Sequence, residues 1–220
     1  VSRIKGKQIS DKDLLGALEK TARQAQRAGQ IIQRIRTFVK RSEPNRTLAE
    51  VPGMVAEALE LAEIEFRRRN VRLTHHIAAR LPTLQVDPIL IEQVLVNLLK
   101  NAAESIDAAH RPTSRRHVEL RVVPRIESEQ RVVEFSVTDT GQGLAPEVLD
   151  RLFEAFFSTK AEGMGIGLNL CRSIVESHHG RMQARNLYNG QEVVGCCFSF
   201  WIPVTDSQQT DAFKDSGVTA

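Results

Sequence analysis

Cysteine is scarce: Cys171, Cys196 and Cys197 are the only three among 220 residues. An odd number containing one adjacent pair is no disulfide framework, which points to a reducing, cytoplasmic setting. Aromatic residues amount to 5%, and no basic stripe is interleaved with them, so no nucleic-acid partner is expected. An excess of one charge is lacking too. The 30 basic and 27 acidic residues leave a formal +3, and Arg67-Arg68-Arg69 reads as a solvated helix end where cations suit the dipole. No apolar run reaches the ~18 residues of a membrane span, so this stretch is expected to make no membrane contact. No signal peptide is visible, and a start at Val1 rather than Met leads us to expect a fragment of a longer protein. Catalytic groupings of the common kinds are missing as well. His75-His76 lies in an expected strand, so the two rings point to opposite faces and cannot share a metal. His178-His179 precedes Gly180 at an expected helix C-terminus, where the dipole favours a cation and capping and packing are simpler roles than catalysis. No Ser/His/Asp set or zinc spacing is present.

What is present divides into three stretches. Residues 10–43 read as one long helix capped by Ser10 or Asp11. Leu14, Leu18, Ala22, Ala25, Gly29, Ile32 and Ile35 make an apolar stripe with a charged back, which needs a partner helix or a second copy. Glu43-Pro44 ends it, with the boundary at 44–47. From about 48 to 204 strands and helices alternate. Helices are expected at Pro52–Arg69, from Asp87-Pro88 onward, and at Gly167–His178. Strands are expected at Val71–Ile77, His117–Arg125, Arg131–Thr138, Arg181–Asn186 and Cys196–Pro203, with hairpins at Glu127–Gln130 and near Asn189-Gly190. The layered result is α+β. Residues 205–220 are polar and aperiodic and read as a disordered tail or linker.

Four short pieces carry chemistry. Asp139 ends a strand and enters the turn Thr140-Gly141-Gln142-Gly143. An ionised carboxylate accepts only; the exocyclic amine of adenine would satisfy it, and the oxygen that guanine shows there would be repelled. Gly141 and Gly143 would let a base approach the backbone. Alone, this is a plain Asp-x-Gly turn. Asn97 and Asn101 are four apart and share one face of a helix that is otherwise apolar. Their amide oxygens are hard ligands suited to magnesium, and buried amides are costly unless satisfied. Lys100 reads either as a phosphate contact or as a solvated lysine. Gly163, Gly165 and Gly167 precede a helix, where backbone amides bind phosphate. Thr159 and Lys160 just upstream would add a hydroxyl and a cation, and 158–165 is expected to move as a lid. The spacing is neither a Rossmann nor a Walker fingerprint.

In this order, Asn97–Asn101, Asp139–Gly143, Phe153–Lys160 and Gly163–Leu168 resemble the N, G1, F and G2 boxes of sensor histidine kinases, a family in the superfamily shared with gyrase and MutL. The wording Phe-Phe-Ser-Thr-Lys before Gly-Met-Gly-Ile-Gly-Leu is similar to the short-lidded group of oxygen-sensing and dicarboxylate-sensing kinases. The resemblance implies a two-layer α/β sandwich over 47–204, a mixed sheet with helices on one face. It also implies that 1–46 is part of a dimerisation hairpin, mainly its second helix. The implied ligands are ATP and Mg2+, and the implied partners are a second copy of the parent protein and a response regulator. Asp139 would bind the adenine amine and Asn101 the metal. Gly165 and Gly167 would face the phosphates, and Phe153, Ser158, Ile166 and Leu168 would complete the nucleotide contacts. Asn97 stands where ATP-hydrolysing relatives carry a glutamate base; an amide cannot take a proton, so ATP would be held intact for a histidine nucleophile. Asn97 and Lys160 are the residues placed nearest the chemistry. No histidine precedes His75, so this stretch is expected to lack the phosphoacceptor and not to autophosphorylate. Ala155 replaces a proline frequent in the F box. The rivals are an ATP-hydrolysing clamp and a nucleotide-sensing scaffold without catalysis.

Overall fold

The computed structural model describes residues 13–19, 21, 22, 29, 44–160, 163 and 165–205. The chain divides into two units, Val1–Glu43 and Pro44–Ala220. In the first, the described residues are helical, and Thr21 Oγ1 donates back to Ala17 O at 2.8 Å. The remainder of the expected helix over 10–43, with Ile32 and Ile35, lies outside the described residues. So does the tail beyond residue 205.

The second unit runs β1 (Thr47–Ala49), α1 (Val51–Arg68), β2 (Arg72–Ile77), β3 (Leu84–Val86), α2 (Pro88–Ala108), a 3-10 turn (Thr113–Arg115), β4 (His117–Glu127), β5 (Gln130–Asp139), α3 (Pro146–Leu149), α4 (Gly167–Ser177), β6 (Arg181–Asn189) and β7 (Glu192–Pro203). One five-stranded sheet has the order β2-β4-β5-β7-β6, and β1 pairs with β3 as a separate ribbon. Only β2 and β4 are parallel; β4-β5, β5-β7 and β7-β6 are antiparallel. The sheet is therefore mixed, as expected. Helix α2 packs on β4 and β5, α4 on β6 and β7, and α1 on α2 and β2.

Strand alternation explains the two layers. On β4, Val118, Leu120 and Val122 are buried beneath the helices, while Glu119 and Arg121 turn to the open face. On β5, Val133, Phe135 and Val137 do the same. Phe135 sits opposite Phe200 of β7, and their rings stack with centroids 4.7 Å apart. Each such ring removes apolar surface from water worth about 2 kcal/mol. The strands of the last hairpin run longer than the sequence patterns suggested, and a bulge falls between Leu187 and Tyr188. The arginine run at the end of α1 is more engaged than a solvated helix end. Arg67 bonds Glu63, Arg68 bonds Glu65, and Arg69 bonds both Glu65 and Asp107 of α2.

A polar joint sets α2 against α4. Asp87 caps α2 by accepting from Leu90 N at 3.3 Å, and Pro88 fills the first turn, where no amide is needed. The second Asp87 oxygen accepts from Asn45 N at 3.1 Å. The Asp87 amide in turn donates to His178 Nε2 at 3.0 Å. His178 Nδ1 therefore carries the proton and donates to Ile174 O at 2.8 Å. This corrects the expectation that a cation is favoured here. His178 is buried, and desolvation lowers its pKa, outweighing the helix-end field. His75 and His76 are both exposed on β2.

Replacing Asp87 with alanine removes the cap and leaves the Asn45 amide without its acceptor. We expect a loss of about 1–2 kcal/mol, read as a lower urea midpoint with unchanged slope. An unchanged midpoint would contradict the joint.

Candidate functional site

The site is built along one side of α2. Nine apolar side chains of that helix, from Leu90 to Ile106, are buried. Asn97, Asn101 and Ser105 follow one another at four-residue spacing and form a polar row beside them. Asn97 donates through Nδ2 to Cys171 Sγ of α4 at 3.0 Å. Its oxygen lies against Gly167, where an added Cβ would stand 3.0 Å from it. The amide thus joins α2 to the start of α4. Cys171 is held as a thiol, its pKa pushed up to about 12 by burial.

Asp139 ends β5 with 1% of its surface exposed. Its Oδ1 accepts from Gly141 N at 2.7 Å and from Ser105 Oγ at 3.5 Å. No cation pairs with it among the described residues, and burial pushes its pKa up to about 6 against the pull of these hydrogen bonds. The turn after it is braced from both sides. Thr140 Oγ1 accepts from His117 N at 3.1 Å, and Arg111 donates to Gly141 O at 3.3 Å. Asn186 of β6 clamps Leu144 with a pair of hydrogen bonds, to its amide at 2.8 Å and its carbonyl at 2.7 Å.

The glycines are required for more local reasons than approach of a base. A Cβ on Gly141 would meet Ser105 Oγ at 2.1 Å, and one on Gly143, whose φ is +72°, would meet Val193 at 2.2 Å. Gly165 has φ +66° and lies against the backbone of Phe156 and Phe157, with Phe156 N donating to Gly165 O at 2.9 Å. Here only glycine allows the close crossing.

Helix α4 starts at Gly167 behind Ile166, which offers no side-chain cap. Its first amides therefore have no acceptor within the helix. Leu168 is half-buried there and packs on the core. Phe153 also packs on the core; its carbonyl accepts from Asn169 Nδ2 at 2.9 Å, and the Arg172 guanidinium lies 5.4 Å over its ring. Ser158 Oγ accepts from Lys160 N at 3.1 Å, and Gly163 N donates to Lys160 O at 3.0 Å. Thr159 is exposed. Lys160 Nζ donates to Asn101 Oδ1 at 2.9 Å and forms an ion pair with Glu104. Lys100 is exposed, 3.9 Å from Glu104. Residues 161, 162 and 164 of the expected lid lie outside the described residues.

The structure thus brings Asn101 and Lys160 into contact and stations Asn97 between them and α4. It adds Ser105, Glu104, Arg111 and Asn186, which the motifs did not single out. Ser105 was reachable as the next step of the 97–101 row; Arg111 and Asn186 carried no sequence signal. A cavity of about 1120 Å³ is lined by Arg72, Arg115, His117, Asp139 and Thr140 among others. It includes neither Asn101 nor the glycine segment. Among the described residues no group of His, Cys, Asp and Glu could hold a metal by itself.

Residues 86–206 match the family described as histidine kinase-, DNA gyrase B-, and HSP90-like ATPase. The C4-dicarboxylate transport sensor protein DctS of Rhodobacter capsulatus is 40% identical over 188 residues, 86% of this chain and 27% of that protein. The sensor protein FixL of Bradyrhizobium diazoefficiens is 38% identical over 190 residues, 86% of this chain and 35% of that protein. Among solved structures, full-length ShkA in complex with AMPPNP is similar with a TM-score of 0.59 at 26% identity, over 74% of this chain and 32% of that one. The chain belongs to the histidine kinase-, gyrase B- and HSP90-like ATPases, and within them to the catalytic domains of sensor histidine kinases. It spans about a quarter to a third of the length of these two relatives.

Only an ionised Asp139 accepts from an amine with both oxygens. With its pKa raised to about 6, the carboxylate is protonated as pH falls through that value. ADP affinity should then drop about tenfold between pH 7 and pH 5. Asp139→Asn serves as the control for titration of the phosphates themselves and should lack that extra drop. Parallel pH profiles for the two proteins would remove Asp139 from nucleotide binding.

Proposed function

We propose that this domain holds ATP with magnesium and presents the γ-phosphate to a histidine on a dimerisation hairpin, for relay to an aspartate of a response regulator. The observation that carries the reading is Asp139: a carboxylate 1% exposed, unpaired with any cation among the described residues, at the mouth of a glycine turn. Its hydrogen bonds from the protein leave acceptor capacity on a carboxylate, which can take up to about four donors, and the amine of adenine would supply a further one. AMPPNP, an ATP analogue, is bound in ShkA, and DctS and FixL are named as sensors; these likenesses support the assignment.

The residues fit the ligand. Asn101 Oδ1 is a hard oxygen suited to magnesium, a cation that keeps most of its coordination for water and phosphate. When bound, magnesium supplies charge neutralisation at the phosphates. The uncapped amides at the start of α4 add donors to the phosphates, and Lys160 adds a mobile positive charge. Asn97 has no basic atom, and its amide nitrogen is already bonded to Cys171. Water is therefore not activated at that position, and the γ-phosphate is preserved for an imidazole nucleophile. This favours a kinase over an ATP-hydrolysing clamp. Residues 1–46 would contribute the second hairpin helix, dimerising in the intact protein and leaving this domain in the cytoplasm.

The test combines this chain, magnesium, γ-labelled ATP and a hairpin segment of the parent carrying its first helix. We expect acid-labile label on the hairpin and little release of free phosphate. Steady phosphate release without labelled hairpin would favour the clamp. Binding of ATP with neither reaction would favour a scaffold.

A further inference from the structure

The motifs give no role to Glu104, yet its carboxylate forms an ion pair with Lys160. Glu104 lies on α2 one turn beyond Asn101. Three cations surround its carboxylate, and they are not equivalent. Arg69 Nη2 is 4.0 Å away, and that guanidinium is already bonded to Glu65 and Asp107. Lys100 Nζ is 3.9 Å away, and its side chain is 54% exposed. Lys160 makes the close ion pair, with the same ammonium donating to Asn101 Oδ1 at 2.9 Å. Asn101 Oδ1 is the oxygen assigned above to magnesium. An ammonium and a divalent cation cannot both lie close against one amide oxygen without strong repulsion.

We propose that Glu104 is a positioning residue: it parks Lys160 on the metal-binding oxygen of Asn101, so that binding of a magnesium nucleotide is an exchange of cations. The ammonium leaves Asn101 as the metal arrives, and the lysine is thereby delivered to the phosphates only when a metal is present. Both halves follow from the placement of the groups. Glu104 has no polar partner closer than Lys160, so its charge acts first on the lysine. Lys160 lies just before the glycine segment, its backbone carbonyl accepting from Gly163 N, so its side chain is close to the amides proposed to meet the phosphates. The inference rests on the nucleotide reading above.

Two measurements separate its failure from failure of that reading. The first needs no nucleotide. Wild-type and Glu104→Gln proteins are acetylated briefly with an acyl ester, and modification at each lysine is followed by peptide mass spectrometry. An ion-paired ammonium is protected, so Lys160 should react several-fold faster in Glu104→Gln, with Lys100 changing less than twofold. The second is a double-mutant cycle. The gain in ADP affinity on adding magnesium is measured for wild type, Glu104→Gln, Lys160→Met and the double variant. Glu104→Gln should increase that gain several-fold when Lys160 is present and should not increase it in the Lys160→Met background. An unchanged acetylation rate overturns the parking contact. Equal effects of Glu104→Gln in both backgrounds overturn the exchange, since Glu104 then acts on the metal directly. Absence of ADP binding in all four proteins overturns the nucleotide reading, and the exchange with it, while the acetylation result still decides the contact.

Discussion

Everything at this site depends on α2 serving both as the spine of the core and as the carrier of the polar row Asn97, Asn101 and Ser105. Its apolar side chains from Leu90 to Ile106 are buried under the sheet and α1, worth of order 1–3 kcal/mol for each large one. That packing fixes the helix in position and rotation. The polar row Asn97, Asn101, Ser105 is then held with the precision of the core rather than of a loop. The cap at Asp87 and its hydrogen bond to His178 fix the helix at its start and tie it to the end of α4. Asn97 ties it to Cys171 in the middle of α4. Two polar joints, one at the end of α4 and one at its middle, therefore hold α4 against α2.

The two carboxylates beside this helix show how environment divides labour. Asp139 is buried, accepts from an amide and a hydroxyl, and has its pKa raised by desolvation. Glu104 is partly exposed and sits among Lys160, Lys100 and Arg69. It acts on cations. The same chemical group is thus buried without a cation among the described residues in one place and surrounded by cations in the other.

Much of this was legible from the chain alone, because the signals were local. Asp87-Pro88 announces a helix start by cap and ring geometry. The glycines at 141, 143, 165 and 167 mark tight backbone, and the spacing of Asn97 and Asn101 places them on one face. What was not legible depends on contacts distant in sequence. The β1–β3 ribbon has three-residue strands, too short for alternation to register. The Asp87–His178 bond spans 91 residues, and burial lowers the His178 pKa where the helix end alone would favour a cation, since burial is a property of the fold. The reason for Gly141 is Ser105, and for Gly143 it is Val193; no pattern within the turn itself shows either neighbour. Glu104 belongs to none of the motifs, and only the fold brings Lys160 to it.

The central claim is that Asp139 makes this an adenine site. Titration calorimetry of ADP and GDP against the same protein in magnesium tests it most directly, because the two ligands differ only in the base edge. The account predicts that ADP binds and that GDP binds more weakly by on the order of a hundredfold or more, since guanine would bring an acceptor to a buried acceptor. Equal affinity for the two would contradict it.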